Sequence, residues 1–287
     1  MTIPQVTRLA PVQQQAAIEI APFHCWLLPD GSNWTGFYRQ EQGYLIRFPA
    51  LADFLVSPDG NEILMTPVAG VGETTLSHLL HNQIFPLAWS HQGKQVLHAS
   101  AVIINDKAIA FLGQSGRGKS TLATSFATSG CPFLSDDSLV VTESGNGFIV
   151  PPGQATIRLW HDSLDNLVSA STLMHPQLDY TDKACIIADS QIRHHEKEAR
   201  LGALFCLEDD RSESITIRKI RGQDAILYLV RNSLVLDVEN TGTLRRNFAQ
   251  ICTLAERIPI FRLGFPHDYA QLSLVRNSIT GTVNKLP

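Results

Sequence analysis

From Phe23 to about Thr66 the apolar residues fall in short runs of strand length: Cys25-Trp26-Leu27-Leu28, Gly36-Phe37-Tyr38, Gly43 to Phe48, Phe54-Leu55-Val56 and Ile63-Leu64-Met65. Two groups of strong turn formers, Pro29-Asp30-Gly31 and Pro58-Asp59-Gly60, punctuate these runs, because Pro presets φ and Gly supplies the left-handed conformation that tight turns need. At Thr74 the period changes. Leu76, Leu79, Leu80 and Ile84 recur at helical spacing until Pro86, which has no N–H to donate and interrupts or ends the helix. The first twenty residues are polar and read as a mobile arm. Residues 1–90 are thus expected to form a small β-rich N-terminal domain with a connecting helix, leaving 91–287 as a second domain.

In the second domain, residues 95–104 read as a strand and Asn105-Asp106 as a turn into a second strand, the continuous apolar run Ala108-Ile109-Ala110-Phe111-Leu112. Ser120 to Ser129 reads as a helix with Leu122 and Phe126 on one face, stopped by Gly130. Short strands are expected at 131–135, 138–141, 148–150 and 156–160, and a helix capped by Asp162 follows. Residues 170–200 are polar and irregular, a candidate substrate or lid loop or an ordinary surface excursion. Leu201 to Leu207 is a strand expected to pair with 215–217 across the charged turn 208–212. Helices at 223–230 and 243–258 and the strand 259–263 complete the pattern, which is that of an α/β chain with a mixed sheet.

The chemistry sits between the second strand and the helix. Gly113-Gln114-Ser115-Gly116-Arg117-Gly118-Lys119-Ser120 fits the phosphate-cradling pattern G-x-x-x-x-G-K-[ST], and Thr121 directly follows it. Glycines let consecutive backbone N–H groups curl round phosphate oxygens, and the helix that follows points its positive end at them. Lys119 would reach the terminal phosphates of a nucleotide such as ATP, and Ser120 would ligate Mg²⁺. Seventeen residues beyond the lysine stand Asp136 and Asp137, spaced to supply one group for Mg²⁺ and one for proton abstraction. Adjacent side chains on an extended chain point to opposite sides, so the two acids are not expected to share a task. His98 lies one hairpin from the loop. Arg158, Arg231, Arg245 and Arg246 are available to hold phosphate or a carboxylate bidentately.

Leu97-His98-Ala99-Ser100, the glycine loop and Leu134-Ser135-Asp136-Asp137 together resemble the catalytic domain of HPr kinase/phosphorylase. They resemble more closely the HPr-kinase-like serine kinases of bacterial peptide-modification clusters, including the lasso-peptide tailoring kinases. The resemblance is specific from Leu97 to Val141 and looser to about residue 265, through Pro152-Gly153 and Ile157-Arg158-Leu159-Trp160. It implies a core related to phosphoenolpyruvate carboxykinase and a Mg²⁺- and ATP-dependent transfer to a serine, or similar hydroxyl, of a peptide or small protein. It also implies catalytic roles for His98, Lys119 and Asp136, with Asp136 the general base and His98 its partner. Ser120 and Asp137 would be the Mg²⁺-side groups, and the chain a homo-oligomer. The chain departs from the family at Ala99, at Thr121, and at Lys219-Ile220-Arg221-Gly222-Gln223, which keeps only the Arg-Gly step of a family signature; this weakens the case for HPr itself as acceptor. A nucleotide-sensing module without transfer and a small-molecule kinase are the rival readings.

Composition narrows the rest. The chain has 287 residues, 44% hydrophobic and 17% charged, and a net charge of −4. That is an ordinary globular balance, with no basic stripe to suggest nucleic acid or an anionic membrane as partner. No eighteen-residue apolar run and no signal-peptide core is present, so a cytoplasmic location is expected. Five widely spaced cysteines read as reduced thiols, and His194-His195, in a charged run, as a solvated loop rather than a metal site.

Overall fold

A computed structural model describes residues 3–28, 30–145, 147–208 and 212–286. Pro29 of the first expected turn and the middle of the 208–212 turn lie outside them. The chain divides into two compact units, one of residues 1–93, 178–180 and 235–244, the other of 94–177, 181–234 and 245–287.

In the first unit, β1 (Gln5–Arg8), β2 (His24–Leu27), β3 (Asn33–Gln40), β4 (Gly43–Phe48), β5 (Ala52–Val56) and β6 (Glu62–Pro67) form a sheet in the order β1-β6-β5-β4-β3-β2. Period-2 burial is clearest in β5 and β6, where Ala52, Phe54 and Val56, then Ile63 and Met65, face inward. The expected mobile arm is partly wrong: residues 5–8 pair in parallel with β6. That strand escapes a hydrophobic scan because three of its four residues are exposed at the sheet edge. Pro86 also behaves differently from expectation. α1 (Glu73–Leu79) runs into a π-helical turn, Leu80–Ile84, and Pro86 opens α2 (Phe85–His91). Ile84 and Phe85 keep right-handed helical backbone, so the helical path runs on through Pro86 and the π-helical turn lies just before the residue that has no N–H to give. Leu76, Leu79, Ile84 and Leu87 pack with Phe37, Phe48 and Phe54 into one core. Two later segments belong to the same unit. Asp237 accepts from Arg39 Nη2 (2.6 Å) and Tyr44 Oη (3.1 Å), while Tyr180 lies 4.6 Å from Trp34, ring to ring, with its hydroxyl 2.5 Å from His78 Nδ1.

The second unit holds β7 (Gln95–Leu97), β8 (Ala99–Ile104), β9 (Lys107–Leu112), α3 (Lys119–Thr128), β10 (Phe133–Ser135), β11 (Leu139–Ser144), β12 (Gly147–Val150), β13 (Thr156–Leu159), α4 (His161–Leu167), β14 (Ala184–Ile187), β15 (Ala199–Leu207), β16 (Thr216–Ile220), α5 (Gly222–Arg231), most of α6 (Thr241–Arg257), β17 (Ile260–Gly264) and α7 (Leu272–Val283). Its mixed sheet runs β10-β8-β9-β15-β12-β11-β7, with β17 added to β15 and β16 to β17. The expected pairing of 215–217 with β15 is therefore corrected. β15 lies between β9 and β17, parallel to both, and β16 pairs with β17. A central parallel position suits β17, buried at four of its five residues, better than β16, which has no buried residue and carries Arg218 and Lys219. β7 pairs with β11 while its continuation β8 lies between β10 and β9, so the sheet curls on itself.

Both faces of this sheet are buried. β9 sends Ile109 and Phe111 to one face, where α3 and α7 pack, and Ala108, Ala110 and Leu112 to the other, beneath α5 and α6. The α7 residues Leu272, Val275, Ile279 and Val283 follow a helical period. Asn105 and Asp106 both take positive φ in the two-residue turn joining β8 to β9, as such a hairpin requires. Among the described residues all five cysteines are free thiols, and no helix is long and apolar enough to cross a membrane.

Phe126 of α3 is 1% exposed and stacks on Phe111 at 5.7 Å. Phe126→Ala removes that ring from a packed face that cannot fully collapse. It is expected to cost about 3–5 kcal/mol, read as a lowered urea midpoint.

Candidate functional site

The glycine loop leaves the carboxyl end of β9 and enters α3 at Lys119. Gly116 and Gly118 sit at φ +82° and +89°, backbone that a side chain resists, and this is how an eight-residue loop turns its amides inward. Lys119 is 6% exposed, and its ammonium donates to Gly113 O at 2.7 Å and Gln114 O at 3.0 Å. Burial pushes its pKa down to about 8, against the pull of Asp137 and Asp136. Gln114, Ser115 and Gly116 are exposed at the loop tip, and Arg117 N–H closes a turn on Gln114 O. Thr121 faces Ser163, which in turn meets the Tyr269 hydroxyl.

β10 delivers the two acids to the loop. Asp136 Oδ1 accepts from Ser100 Oγ at 2.6 Å and Ser120 Oγ at 2.8 Å, and its Oδ2 accepts from the Arg158 backbone N–H at 3.0 Å. Burial, and then the neighbouring Asp137 charge, raise the Asp136 pKa. Asp137 takes φ +68°, which costs strain that Asp tolerates better than most residues. The twist swings its carboxylate to the Arg158 guanidinium, which donates from Nε at 2.8 Å and also from Nη2. The same twist turns the Asp137 carbonyl to His98 Nδ1 at 2.8 Å.

His98 stands between β7 and β8, where the strand changes partners, and its backbone N–H goes to Asn232 O. The carbonyl partner fixes the proton on Nδ1 and leaves Nε2 as an acceptor. The ring keeps some exposed surface, yet protein crowds it closely enough that burial, reinforced by Lys119, lowers its pKa to about 4. It is thus neutral at pH 7.

The loop lysine, Ser120 and Asp136 come together here. His98 comes with them, bonded to the Asp137 carbonyl and not to the expected Asp136 carboxylate. Ser120 touches Asp136, whereas Asp137 is engaged with Arg158, so the two acids diverge. Of the four arginines singled out, Arg158 alone takes part in this cluster; Arg231, Arg245 and Arg246 are exposed. Sequence reasoning missed Ser100, whose signal was a hydroxyl in an otherwise apolar strand. It also missed Lys183, whose charge acts on Lys119; it directly precedes β14 (Ala184–Ile187), a strand inside the 170–200 stretch expected to be irregular.

The donor set suits Mg²⁺, a hard cation that takes oxygen ligands and usually one or two carboxylates beside phosphate oxygens. The Ser120 hydroxyl oxygen is the protein group placed to fit it beside phosphate oxygens, while its proton goes to the Asp136 carboxylate 2.8 Å away; Asp137, the other expected Mg²⁺-side group, is engaged with Arg158.

No family model matches the chain, and no curated protein matches it. Among solved structures, the Hpr(Ser) kinase/phosphatase from Coxiella burnetii is similar at 13% sequence identity and a TM-score of 0.34, covering 66% of this chain and 99% of that one. A likeness that shallow carries no weight for the chemistry, which rests on the geometry above.

The His98 pKa lies below its unfolded value of 6.5, so unfolding takes up a proton between about pH 6.5 and about pH 4, and stability falls as pH drops through that window. Asp136, with a raised pKa, works in the opposite direction but is common to wild type and His98→Gln. Urea unfolding across pH 4–7 should show a steeper acid loss in wild type than in the variant. Equal slopes would remove His98 from the account.

Proposed function

We propose that the chain is a Mg²⁺-dependent kinase that transfers the terminal phosphoryl group of ATP to a serine or similar hydroxyl of a peptide or small protein. A lasso-peptide precursor is the acceptor suggested by the resemblance in the sequence. The observation that carries the proposal is the meeting of Ser120 and Lys119, from the phosphate loop, with a buried carboxylate, Asp136. A module that only binds nucleotide has no use for a strained second acid and a paired arginine beside the first.

Phosphoryl transfer asks little covalent work of a protein; it needs in-line positioning and neutralisation of spread negative charge. Lys119 and the loop amides bind and orient the phosphates. Ser120, with phosphate oxygens of the nucleotide, would hold Mg²⁺, which would supply further neutralisation. A carboxylate has about four lone-pair sites. Among the described residues three donors reach Asp136, two at Oδ1 and one at Oδ2, which leaves a site on Oδ2 for the acceptor proton. The acceptor oxygen bonds to phosphorus, the bond to the bridging oxygen breaks, nucleoside diphosphate leaves, and the hydroxyl proton passes to Asp136. The raised pKa of Asp136 favours holding that proton. His98, neutral, holds the Asp137 carbonyl, and Arg158 holds its carboxylate, so that neither competes for the acceptor.

The test incubates protein, Mg²⁺ and γ-labelled ATP with serine-containing peptides, beside acceptor-free controls. Asp136→Asn is expected to lower transfer by about 10²–10⁴-fold while nucleotide binding stays within a few fold; Lys119→Ala should weaken both. Transfer by the asparagine variant at the wild-type rate would sink the base assignment. Because the asparagine amide can face Arg158 N–H, its thermal midpoint is measured alongside.

A further inference from the structure

The β13–β14 ribbon has two unlike faces. Arg158 pairs with Cys185 in register, and alternate residues share a face. Ile157, Leu159 and Ile186 are buried in the core. The other face carries Arg158 and, one residue beyond each strand, Trp160 and Lys183. The Lys183 ammonium lies 5.1 Å from the centre of the Trp160 ring, a cation–π contact that steadies its position. Trp160 is 47% exposed, so this end of the ribbon opens to solvent beside the acidic pair.

Charge is unbalanced here. Lys183 feels the charges of Lys119 and Arg158, and both lysines feel Asp136 and Asp137, three cations against two carboxylates. Asp136 is occupied by Ser100, Ser120 and Arg158 N–H, and Asp137 by Arg158. Among the described residues no hydrogen bond or ion pair to the Lys183 ammonium is made. Burial, and then the Arg158 charge, lower the Lys183 pKa against the pull of Asp137 and Asp136. An anion added at this point would relieve that cost.

We propose that Lys183, held over Trp160, recognises the terminal phosphoryl group of a bound nucleoside triphosphate and so distinguishes triphosphate from diphosphate. The inference rests on the nucleotide-binding reading above. Lys119 then serves the phosphates common to both nucleotides, and Lys183 the one that differs. The ribbon would thereby sense whether a transferable group is present.

Titration calorimetry on the full chain with Mg²⁺ compares a non-hydrolysable ATP analogue with ADP. Wild type is expected to bind the triphosphate more tightly. Lys183→Met should lose on the order of tenfold for the triphosphate, the worth of one charge-assisted hydrogen bond, and less than about twofold for ADP. Lys183→Arg should keep the preference. Unchanged ADP binding reports an intact fold; if the methionine variant proves unstable, the comparison is read on Lys183→Gln. Equal losses for both nucleotides, or none for either, would overturn the role of Lys183 while leaving nucleotide binding intact. Failure of wild type to bind either nucleotide, or indifference of binding to Lys119→Ala, would instead overturn the nucleotide reading itself.

Discussion

A carboxylate taken out of water is costly unless hydrogen bonds replace its hydration, and Asp136 meets that demand with donors from three separate elements. Ser100 comes from β8, Ser120 from the first turn of α3 and the Arg158 N–H from β13. The bonds act as a register lock, because a slip of one residue in β8 or β13 would turn the donor away and leave the acid buried and unsatisfied. The same burial that makes the lock necessary raises the acid's pKa toward the range useful for proton transfer. Stability and the proposed chemistry therefore hang on one group.

The surrounding scaffold explains why these donors arrive together. Parallel β9, β15 and β17 end on a common edge, and loops at the carboxyl ends of parallel strands are where such sheets offer ligand sites. The glycine loop leaves one of those ends. The break between β7 and β8 puts His98 beside Asp137, and the left-handed backbone at Asp137 turns its carbonyl to that ring. Without that twist two adjacent carboxylates would still diverge, as side chains on extended chain do, but the Asp137 carbonyl would not be turned to the histidine.

Local signals carried much of this. The loop, its flanking strand and helix, and the acids after the next strand are all short-range patterns set by glycine conformation and apolar periodicity. The α7 stripe, Leu272, Val275, Ile279 and Val283, is equally legible as a helical period. The exposed edge strand at 5–8 left no apolar mark, and Pro86 could not be recognised as a helix start until the π-helical turn before it was known. Lys183 lacked any signal, since its meaning comes from Arg158 and Trp160 across a two-stranded ribbon.

By itself the sequence determined where the glycine loop and its flanking strand and helix lie, and so where the proposed phosphate chemistry would sit, because loop curvature and strand or helix type are fixed by residues within a few positions of one another. Tertiary structure alone decided which acid meets Ser120, which meets arginine, that β17 and not β16 flanks β15, and that segments 178–180 and 235–244 join the first unit. Those outcomes depend on competition among distant groups for the same buried hydrogen-bond and packing sites, and no window along the chain contains both competitors.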